Sequence, residues 1–134
     1  MNFLLDVNIL VAWGWQDHCD HQRTVRWIAT QKTAIKGLLA TSAIPEIGFV
    51  RVSVQRSAGQ IGVSEASMVL TGMLTSLGER HSFLADDVSG LQWPDWCRSA
   101  ARTTDGHLVQ LAKKHDFLLA TLDKGIPGAH LLPT

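Results

Sequence analysis

Apolar residues recur along this chain in two patterns, short continuous runs and longer stretches in which they return every three or four positions. The short runs are typical of strands that are buried on both faces, as in a parallel sheet covered by helices. They predict a first strand that ends at Asp6 and further strands over residues 37–41, 81–85, 117–121 and 129–132. The helical spacing predicts helices over residues 9–15, 18–31 and 43–54, from Ser64 to Leu77, and from Thr103 to His115.

Predicted strands and helices alternate along the whole chain, without an internal repeat or a low-complexity segment. This alternation predicts an α/β protein with three layers, α/β/α, in which helices flank a central parallel sheet of four to five strands. The 134 residues suffice for one domain with its own core. We therefore expect residues 1–134 to form a single domain.

Local signals mark the starts of three helices. Asp17 is expected to cap the second helix, Ser42 the third, and a threonine the last. Pro45 and Glu46 then lie in the first turn of the third helix. Core positions are predicted at His18, His21, Val25 and Ile28 in the second helix and at Met68, Leu70, Met73, Leu74 and Leu77 in the fourth.

Charge and cysteine content limit the functional classes. Twelve basic residues balance twelve acidic ones, so there is no overall positive charge for non-specific nucleic-acid binding. Cys19 and Cys97 match neither a disulfide framework nor a zinc-binding pair. Without a leader pattern or a long apolar run, we expect a cytoplasmic protein with no membrane contact. Either the basic rim of an acidic site or ordinary solvated helix faces would account for Arg51, Arg56, Arg80, Arg98 and Arg102.

Four carboxylates follow or adjoin predicted strand ends. Asp6, Glu46 and Asp123 come after apolar runs, and Asp105 begins an amphipathic helix. A right-handed parallel fold would bring all four to one rim, where they require a cation or a raised pKa. Ligands that are all oxygen favour Mg²⁺ or Mn²⁺, which suit phosphoryl chemistry. Glu46 and Asp105 also have a purely structural explanation, since acidic side chains stabilise the first turn of many helices.

Two further clusters have competing explanations. The segment 18–21, His-Cys-Asp-His, resembles a zinc site, but no second ligand pair of matching spacing follows it. Asp86 and Asp87 follow a predicted strand; either could be catalytic, or Asp87 could simply cap the turn or helix that follows. No glycine-rich phosphate-binding loop is present, which argues against a nucleotide-driven enzyme.

Four motifs in order resemble the PIN domain, specifically the VapC-like toxins of bacterial toxin–antitoxin pairs. The resemblance covers nearly the whole chain, including a segment from Asp17 to Trp27 that looks like the family's second helix. The motifs are Leu4-Leu5-Asp6-Val7-Asn8-Ile9-Leu10, Glu46-Ile47-Gly48-Phe49-Val50-Arg51, Thr104-Asp105-Gly106-His107-Leu108 and Ala120-Thr121-Leu122-Asp123-Lys124-Gly125.

This resemblance implies an endoribonuclease that depends on Mg²⁺ or Mn²⁺. It assigns the metal-binding and catalytic roles to Asp6, Glu46, Asp105 and Asp123, the last often acting through water. By the same likeness, Asn8 and Thr121 orient the acids. The implied reaction is in-line attack of a metal-activated water on an RNA phosphodiester, which leaves a 5′-phosphate and a 3′-hydroxyl.

The resemblance also implies protein partners. These are a second copy in a homodimer and a cognate antitoxin whose tail occupies the acidic groove. Trp13 and Trp15 are expected either in that contact or in the core. Gly106 departs from the family, which often has alanine there, and is expected to loosen the helix start. The neutral charge fits an enzyme that cuts a few folded RNAs better than a general nuclease.

Two other functions remain open at this point. One is a PIN scaffold that binds RNA or a partner without cutting it. The other is a small phosphatase of the haloacid-dehalogenase type, which also places acids after its first strand but needs a second aspartate where this chain has Asn8.

Overall fold

A computed structural model describes residues 1–33 and 37–134 of the chain. Its strands are β1 (Phe3–Leu5), β2 (Leu39–Thr41), β3 (His81–Phe83), β4 (Leu118–Thr121) and β5 (His130–Leu131). Its helices are α1 (Val7–Gly14), α2 (His21–Thr33), α3 (Ala43–Arg56), α4 (Val63–Thr75) and α5 (Thr103–Lys114), with short 3-10 turns at Gly78–Arg80 and Ala100–Arg102.

The five strands form one sheet in the order β3-β2-β1-β4-β5, and each neighbouring pair is parallel. β1 is central: Leu4 pairs with Ala40 on one side, and Leu5 pairs with Ala120 on the other. The strands are shorter than the sequence patterns indicated, but their number, order along the chain and direction agree with the prediction of a parallel α/β sheet.

Alternate residues of the strands serve two separate cores. Phe3, Leu5 and Leu39 face the core that includes residues of α1 to α4. Leu4, Ala40 and Leu119 face the core that includes residues of α5. Successive strand residues point to opposite faces of a sheet, so continuous apolar runs are what a sheet with two covered faces requires. The three-layer α/β/α architecture expected from the sequence is confirmed.

The start of the second helix was predicted wrongly. α2 begins at His21, and residues 15–21 make turns in which His18 N donates to Trp15 O and His21 N donates to His18 O. Asp17 is therefore no N-cap, and it forms an ion pair with Arg56 at 3.0 Å.

Two predicted core faces were also partly wrong. α2 buries Thr24, Trp27 and Ile28, whereas Val25 is exposed. Trp27 packs on Phe3 of β1, with 5.1 Å between the ring centroids, and Val25 lies about 200° away from Trp27 around the helix. On α4, Leu70 is buried but Met68 is 73% exposed, because only one side of this helix packs on α3.

Two helix caps differ in their chemistry from the expectation. Ser42 holds the N-cap position of α3 as predicted, but its hydroxyl donates to Leu84 O at 2.6 Å and so ties β2 to the segment after β3. The N-cap of α5 is Arg102 rather than a threonine, since the helix follows directly from a 3-10 turn. Within the part of the chain described, no helix is long and apolar enough to cross a membrane.

Candidate functional site

Polar side chains gather where β1, β2 and β4 end, at the carboxyl edge of the sheet. The pairing of Leu4 with Ala40 and of Leu5 with Ala120 places Thr41 and Thr121 on either side of the end of β1. Asp6 follows β1 directly and is the N-cap of α1. Open α/β folds bind ligands at this edge of the sheet.

Asp6 is a buried carboxylate that the fold holds in one orientation. It is 5% exposed, and each of its oxygens accepts one hydrogen bond. Oδ1 accepts from the backbone N–H of Val7 at 2.7 Å, and Oδ2 accepts from the Thr121 hydroxyl at 2.8 Å. Both bonds leave further lone pairs on the carboxylate free to bind a cation.

Thr121 connects Asp6 to the other polar residues of this edge. Its hydroxyl donates to Asp6 and accepts from Asn8 Nδ2 at 3.0 Å and from the backbone N–H of Asp123 at 3.1 Å. Asn8 Oδ1 accepts from Leu122 N at 3.1 Å, so its carboxamide ties α1 to the end of β4. The orienting roles that the family resemblance implied for Asn8 and Thr121 are consistent with these bonds.

Asp105 and Asp123 approach the same place from α5 and from the turn after β4. Asp105 lies in the first turn of α5, with Arg102 Nε at 3.9 Å from its Oδ2. Asp123 Oδ1 accepts from Gly125 N at 2.7 Å, which shapes the turn. Arg102 also donates from Nη2 to the carbonyl of Gly125, so one guanidinium links the start of α5 to the Asp123 turn.

Glu46 occupies the β2 side of the edge. Thr41 donates its hydroxyl proton to Glu46 Oε2 at 2.6 Å, and His81 Nε2 lies 2.8 Å from the same hydroxyl oxygen. Since the proton of Thr41 goes to Glu46, the His81 ring donates to Thr41. Burial lowers the pKa of His81, with Glu46 acting in the opposite direction, which favours a neutral ring.

Burial and neighbouring negative charges both act on the carboxylates of this site. Burial raises the pKa of Asp6 to about 6; its two hydrogen bonds lower it, and the charges of Asp105 and Asp123 raise it further. Burial and then Asp123 also raise the pKa of Asp105, against the effect of Arg102. The negative charges of Asp6, Asp105 and Asp123 therefore interact. A hard divalent cation would relieve this repulsion, and the oxygen-only donors fit Mg²⁺ or Mn²⁺.

The four acids are not packed into one tight cluster. Among the described residues, the one group of His, Cys, Asp or Glu whose ligand atoms all lie within 4.8 Å of one another is His18, Cys19 and Asp20. Two ligands of one Mg²⁺ are at most about 4.2 Å apart. A shared ion thus requires the four acids to move together or to bind it partly through water.

The cluster of His18, Cys19 and Asp20 lies in the turn before α2 and includes none of the four acids of the sheet edge. His18 Nδ1 already accepts from Asp20 N at 3.0 Å, and Asp20 forms an ion pair with Arg23 at 3.4 Å. His21, the remaining residue of the zinc-like segment, bonds from Nδ1 to Ala12 O at 2.8 Å. These contacts hold the turn together.

Asp86 and Asp87 anchor a loop instead of joining the acidic site. Asp86 Oδ2 lies 2.6 Å from His107 Nε2, and Asp87 Oδ1 lies 2.9 Å from His115 Nε2. Both histidines belong to the side of α5 that carries the segment after β3. Asp86 Oδ1 also accepts from Val88 N at 3.3 Å, a local contact of the segment after β3.

Thr41 and His81 are contributors to the site that the sequence patterns did not reveal. The sequence carries one signal for Thr41, because Leu-Ala-Thr occurs at both 39–41 and 119–121. In both strands the threonine hydroxyl binds one of the acids. For His81 no such signal exists, because its role depends on the pairing of β3 with β2.

Trp13 and Trp15 are both partly buried against the core of α1 to α4. The indole of Trp15 donates to Ser53 Oγ at 3.0 Å, and the Arg56 guanidinium lies 5.0 Å from its ring centroid. Much of each tryptophan ring therefore packs against the core, as one of the two expectations for these residues had it.

Comparison with known proteins adds independent information. No family model matches the chain. Three curated proteins of Mycobacterium tuberculosis are each 37% identical to it. Ribonuclease VapC39 aligns over 131 residues, 94% of this chain and 91% of that protein. Ribonuclease VapC38 aligns over 126 residues, 92% and 86%, and ribonuclease VapC44 over 139 aligned positions, 96% and 94%.

Proposed function

This chain belongs to the VapC-like PIN-domain ribonucleases, and we propose that it is a divalent-metal-dependent endoribonuclease that acts as the toxin of a toxin–antitoxin pair. The observation that carries the proposal is the buried Asp6 with two further aspartates, Asp105 and Asp123, close enough to raise its pKa. Carboxylates that raise one another's pKa at the carboxyl edge of an open α/β sheet are typical of functional sites.

Asp6, Glu46, Asp105 and Asp123 would hold Mg²⁺ or Mn²⁺, directly or through water. When bound, such an ion lowers the pKa of a water molecule and neutralises charge on the phosphate and the leaving oxygen. The RNA phosphodiester would be hydrolysed in line, leaving a 5′-phosphate and a 3′-hydroxyl.

The protein's own contribution is to hold these acids in position. Thr121 and the Val7 N–H orient the two oxygens of Asp6, and Asn8 holds Thr121. Thr41, supported by His81, orients Glu46. Arg102 keeps the start of α5 beside the turn of Asp123 and offsets part of the negative charge of Asp105. These hydrogen bonds fix the direction in which Asp6 and Glu46 present their oxygens.

The remaining functional assignments are also proposals. We infer a single PIN-like domain that acts in the cytoplasm, forms a homodimer and is inhibited by a cognate antitoxin. A groove of about 1130 Å³ between α3 and α4 supports the antitoxin proposal. It is lined by aliphatic residues such as Val50, Leu70 and Leu74 and reaches Glu46 and His81 at one end.

Inducible expression with and without the neighbouring antitoxin gene tests this function. Wild-type protein should arrest growth and create new RNA ends with 5′-phosphates, and the Asp105→Asn variant should do neither. Growth arrest without new RNA ends would favour a non-cleaving PIN module. A phosphatase is disfavoured by Asn8, whose carboxamide hydrogen-bonds to Thr121 and Leu122 and has no acidic proton.

A further inference from the structure

A second groove, of about 920 Å³, runs along α5 on the side of the tryptophan-containing loop at residues 90–97. We call it the α5 groove. None of the acids 6, 46, 105 and 123 lines it, and the roles proposed above leave it unused. Its lining includes Trp93, Trp96, Val109, Gln110, Lys113 and Phe117.

The α5 groove begins beside the acidic site. The Trp96 ring centroid lies 5.0 Å from the Arg102 guanidinium, and Arg102 Nε lies 3.9 Å from Asp105 Oδ2. A single side chain, Arg102, therefore separates the aromatic lining of the groove from a proposed metal ligand. From Asp105 to Lys113 the helix rises about 12 Å, which is the length of roughly three or four stacked nucleotides at about 3.4 Å each.

The walls of the α5 groove are held in place by contacts between the loop and the helix. Gln110 Nε2 donates to Gln92 O at 2.9 Å, and Lys114 Nζ donates to Asp87 O at 2.9 Å. At Gly106 the loop is so close that an added Cβ would lie 2.9 Å from Cys97 Sγ. Binding sites are usually preformed in this way.

The chemistry of the α5 groove fits nucleobases joined by phosphates. Trp93 is 40% exposed, so one ring is available for stacking. Lys113 is exposed and takes part in none of the ion pairs of the described residues, whereas Lys114 is paired with Asp87 at 3.2 Å. Asp116 also lines the groove and partly offsets its positive charge. Single-stranded nucleic acids are typically bound by such aromatic rings with nearby cations.

The groove between α3 and α4 has a different composition, dominated by aliphatic side chains. Aliphatic side chains offer no flat surface on which a base can stack. Of the residues that line these two grooves, the tryptophan and phenylalanine rings all belong to the α5 groove, and its Trp96 lies beside Arg102 next to the acidic site. Two observations favour a polynucleotide over a peptide in this groove: its continuity with the acidic site, and the exposed Lys113, which forms no ion pair with any residue that the structure describes.

We propose that the α5 groove binds the single-stranded RNA that flanks the cleaved phosphodiester, with Trp93 stacking on a base and Lys113 contacting a phosphate. This inference rests on the proposed ribonuclease function and extends it to the conformation of the substrate. The RNA next to the cleaved bond would thus be recognised as an unpaired strand. The bases of a duplex are stacked and paired, so they could not stack on Trp93.

Binding measurements separate the contributions of these two residues. The probe is a fluorescent 12-nucleotide RNA of mixed sequence without secondary structure, and its anisotropy is followed in Mg²⁺ with an Asp6→Asn background that should not cut it. Trp93→Ala should weaken binding about tenfold, and Trp93→Phe should restore most of it. Lys113→Ala should reduce the salt dependence, the slope of log K against log salt, by about 0.7.

Two matched controls lie far from the α5 groove. Lys32→Ala removes an exposed lysine of α2, and Met68→Ala removes an exposed apolar side chain of α4. Both should bind RNA like the parent protein. Each variant should also keep the parent melting temperature within a few degrees, which separates a lost contact from a lost fold.

Several outcomes would overturn the inference. Unchanged affinity in Trp93→Ala would do so, as would equal losses in Trp93→Ala and Trp93→Phe. A change of oligomeric state or of antitoxin binding, with RNA affinity intact, would assign the groove to a protein partner instead. Failure of the proposed ribonuclease function would be recognised separately. In that case the wild-type protein, with Trp93 in place, would cut no RNA in Mg²⁺ or Mn²⁺.

Discussion

The hydroxyl of Thr121 lies 2.8 Å from Oδ2 of Asp6 and donates the only side-chain hydrogen bond that this buried carboxylate receives among the described residues, across 115 positions of sequence. This contact joins the ends of two neighbouring parallel strands and determines where the Asp6 oxygens point. It also lowers the pKa of Asp6 against the stronger effect of burial. The stability of the site and its proposed chemistry therefore depend on the same pair.

Thr121→Val tests this pair. The substitution removes the donor to Asp6 and an acceptor for Asp123 N, so we expect a loss of about 1–3 kcal/mol of unfolding free energy. It should also move the acidic limb of the pH–rate profile to higher pH, because the hydroxyl lowers the pKa of Asp6. Chemical denaturation and the pH dependence of RNA cleavage measure the two effects.

Thr24 provides the matched control. It is fully buried like Thr121, but its Oγ1 has no hydrogen-bond partner in the described part of the chain. Thr24→Val should therefore leave stability unchanged or increase it, and it should not move the pH profile. Equal stabilities of the two valine variants would contradict the role assigned to Thr121.

Asp6→Asn should make the metal-free protein more stable at neutral pH. A pKa raised from 3.8 to about 6 means that ionised Asp6 costs about 3 kcal/mol relative to the unfolded chain. Asparagine avoids this cost, but it cannot accept hydrogen bonds from both Val7 and Thr121. The lost hydrogen bond lowers the unfolding free energy by about 1 kcal/mol. We expect a net gain on the order of 2 kcal/mol at pH 8 in the presence of a chelator.

The sign of the pH effect follows from the direction of the shift. Because the folded-state pKa lies above the unfolded value, the favourable contribution of Asp6 is complete below pH 3.8 and is lost as the pH rises through about 6. The advantage of Asp6→Asn should therefore vanish near pH 4. A constant difference between the two proteins from pH 4 to pH 8 would contradict the raised pKa.

Gly106→Ala should destabilise the protein, unlike most glycine-to-alanine changes inside helices. An added Cβ would lie 2.9 Å from Cys97 Sγ and 3.1 Å from Cys97 Cβ, so the loop would have to shift. At Gly72 of α4 the same Cβ meets nothing within 4 Å, and Gly72→Ala should gain up to about 1 kcal/mol. Thermal melts of the two variants should shift in opposite directions.

This contact also explains the one departure from the family motif. Gly106 is buried where the loop at residues 94–97 crosses the first turn of α5. α5 runs without interruption from Thr103 to Lys114 with Gly106 in its first turn, and the expected loosening of the helix start stays a prediction. A stabilised Gly106→Ala would show that the loop adjusts freely.

His81 should affect metal binding without being a ligand. Its ring donates to Thr41, which in turn donates to Glu46. His81→Leu removes this support, and a lost supporting partner typically weakens metal affinity by about 10–100-fold. His81→Gln retains a donor and should recover part of the affinity. Titration of Mn²⁺ into both variants makes the comparison, and equal affinities in the leucine variant and the wild type would contradict the proposed chain of bonds.

The sequence predicted those features that depend on local pattern. The apolar runs before Asp6 and Asp123 are continuous because helices cover both faces of the sheet, and the parallel direction of the strands then brings their ends to one edge. The alternation of strands and helices was sufficient for the fold class.

Features that depend on contacts between distant elements were missed. Aspartate is a residue type that often caps helices. Asp17 instead lies in a turn and forms an ion pair with Arg56 of α3, and α2 begins four residues after it. The role of His81 requires the register of β3 against β2, which no local pattern encodes. The distances among the four acids depend likewise on the whole fold and on a cation.

The central claim is that these acids hold a divalent ion with which the protein cuts RNA. The most direct test is the rate of RNA cleavage as a function of Mn²⁺ concentration for the wild type and Asp105→Asn. We predict a saturable rate in the wild type, no cleavage in excess chelator, and a rate at least about 100-fold lower in Asp105→Asn. Cleavage that persists in chelator, or an Asp105→Asn variant as fast as the wild type, would contradict it.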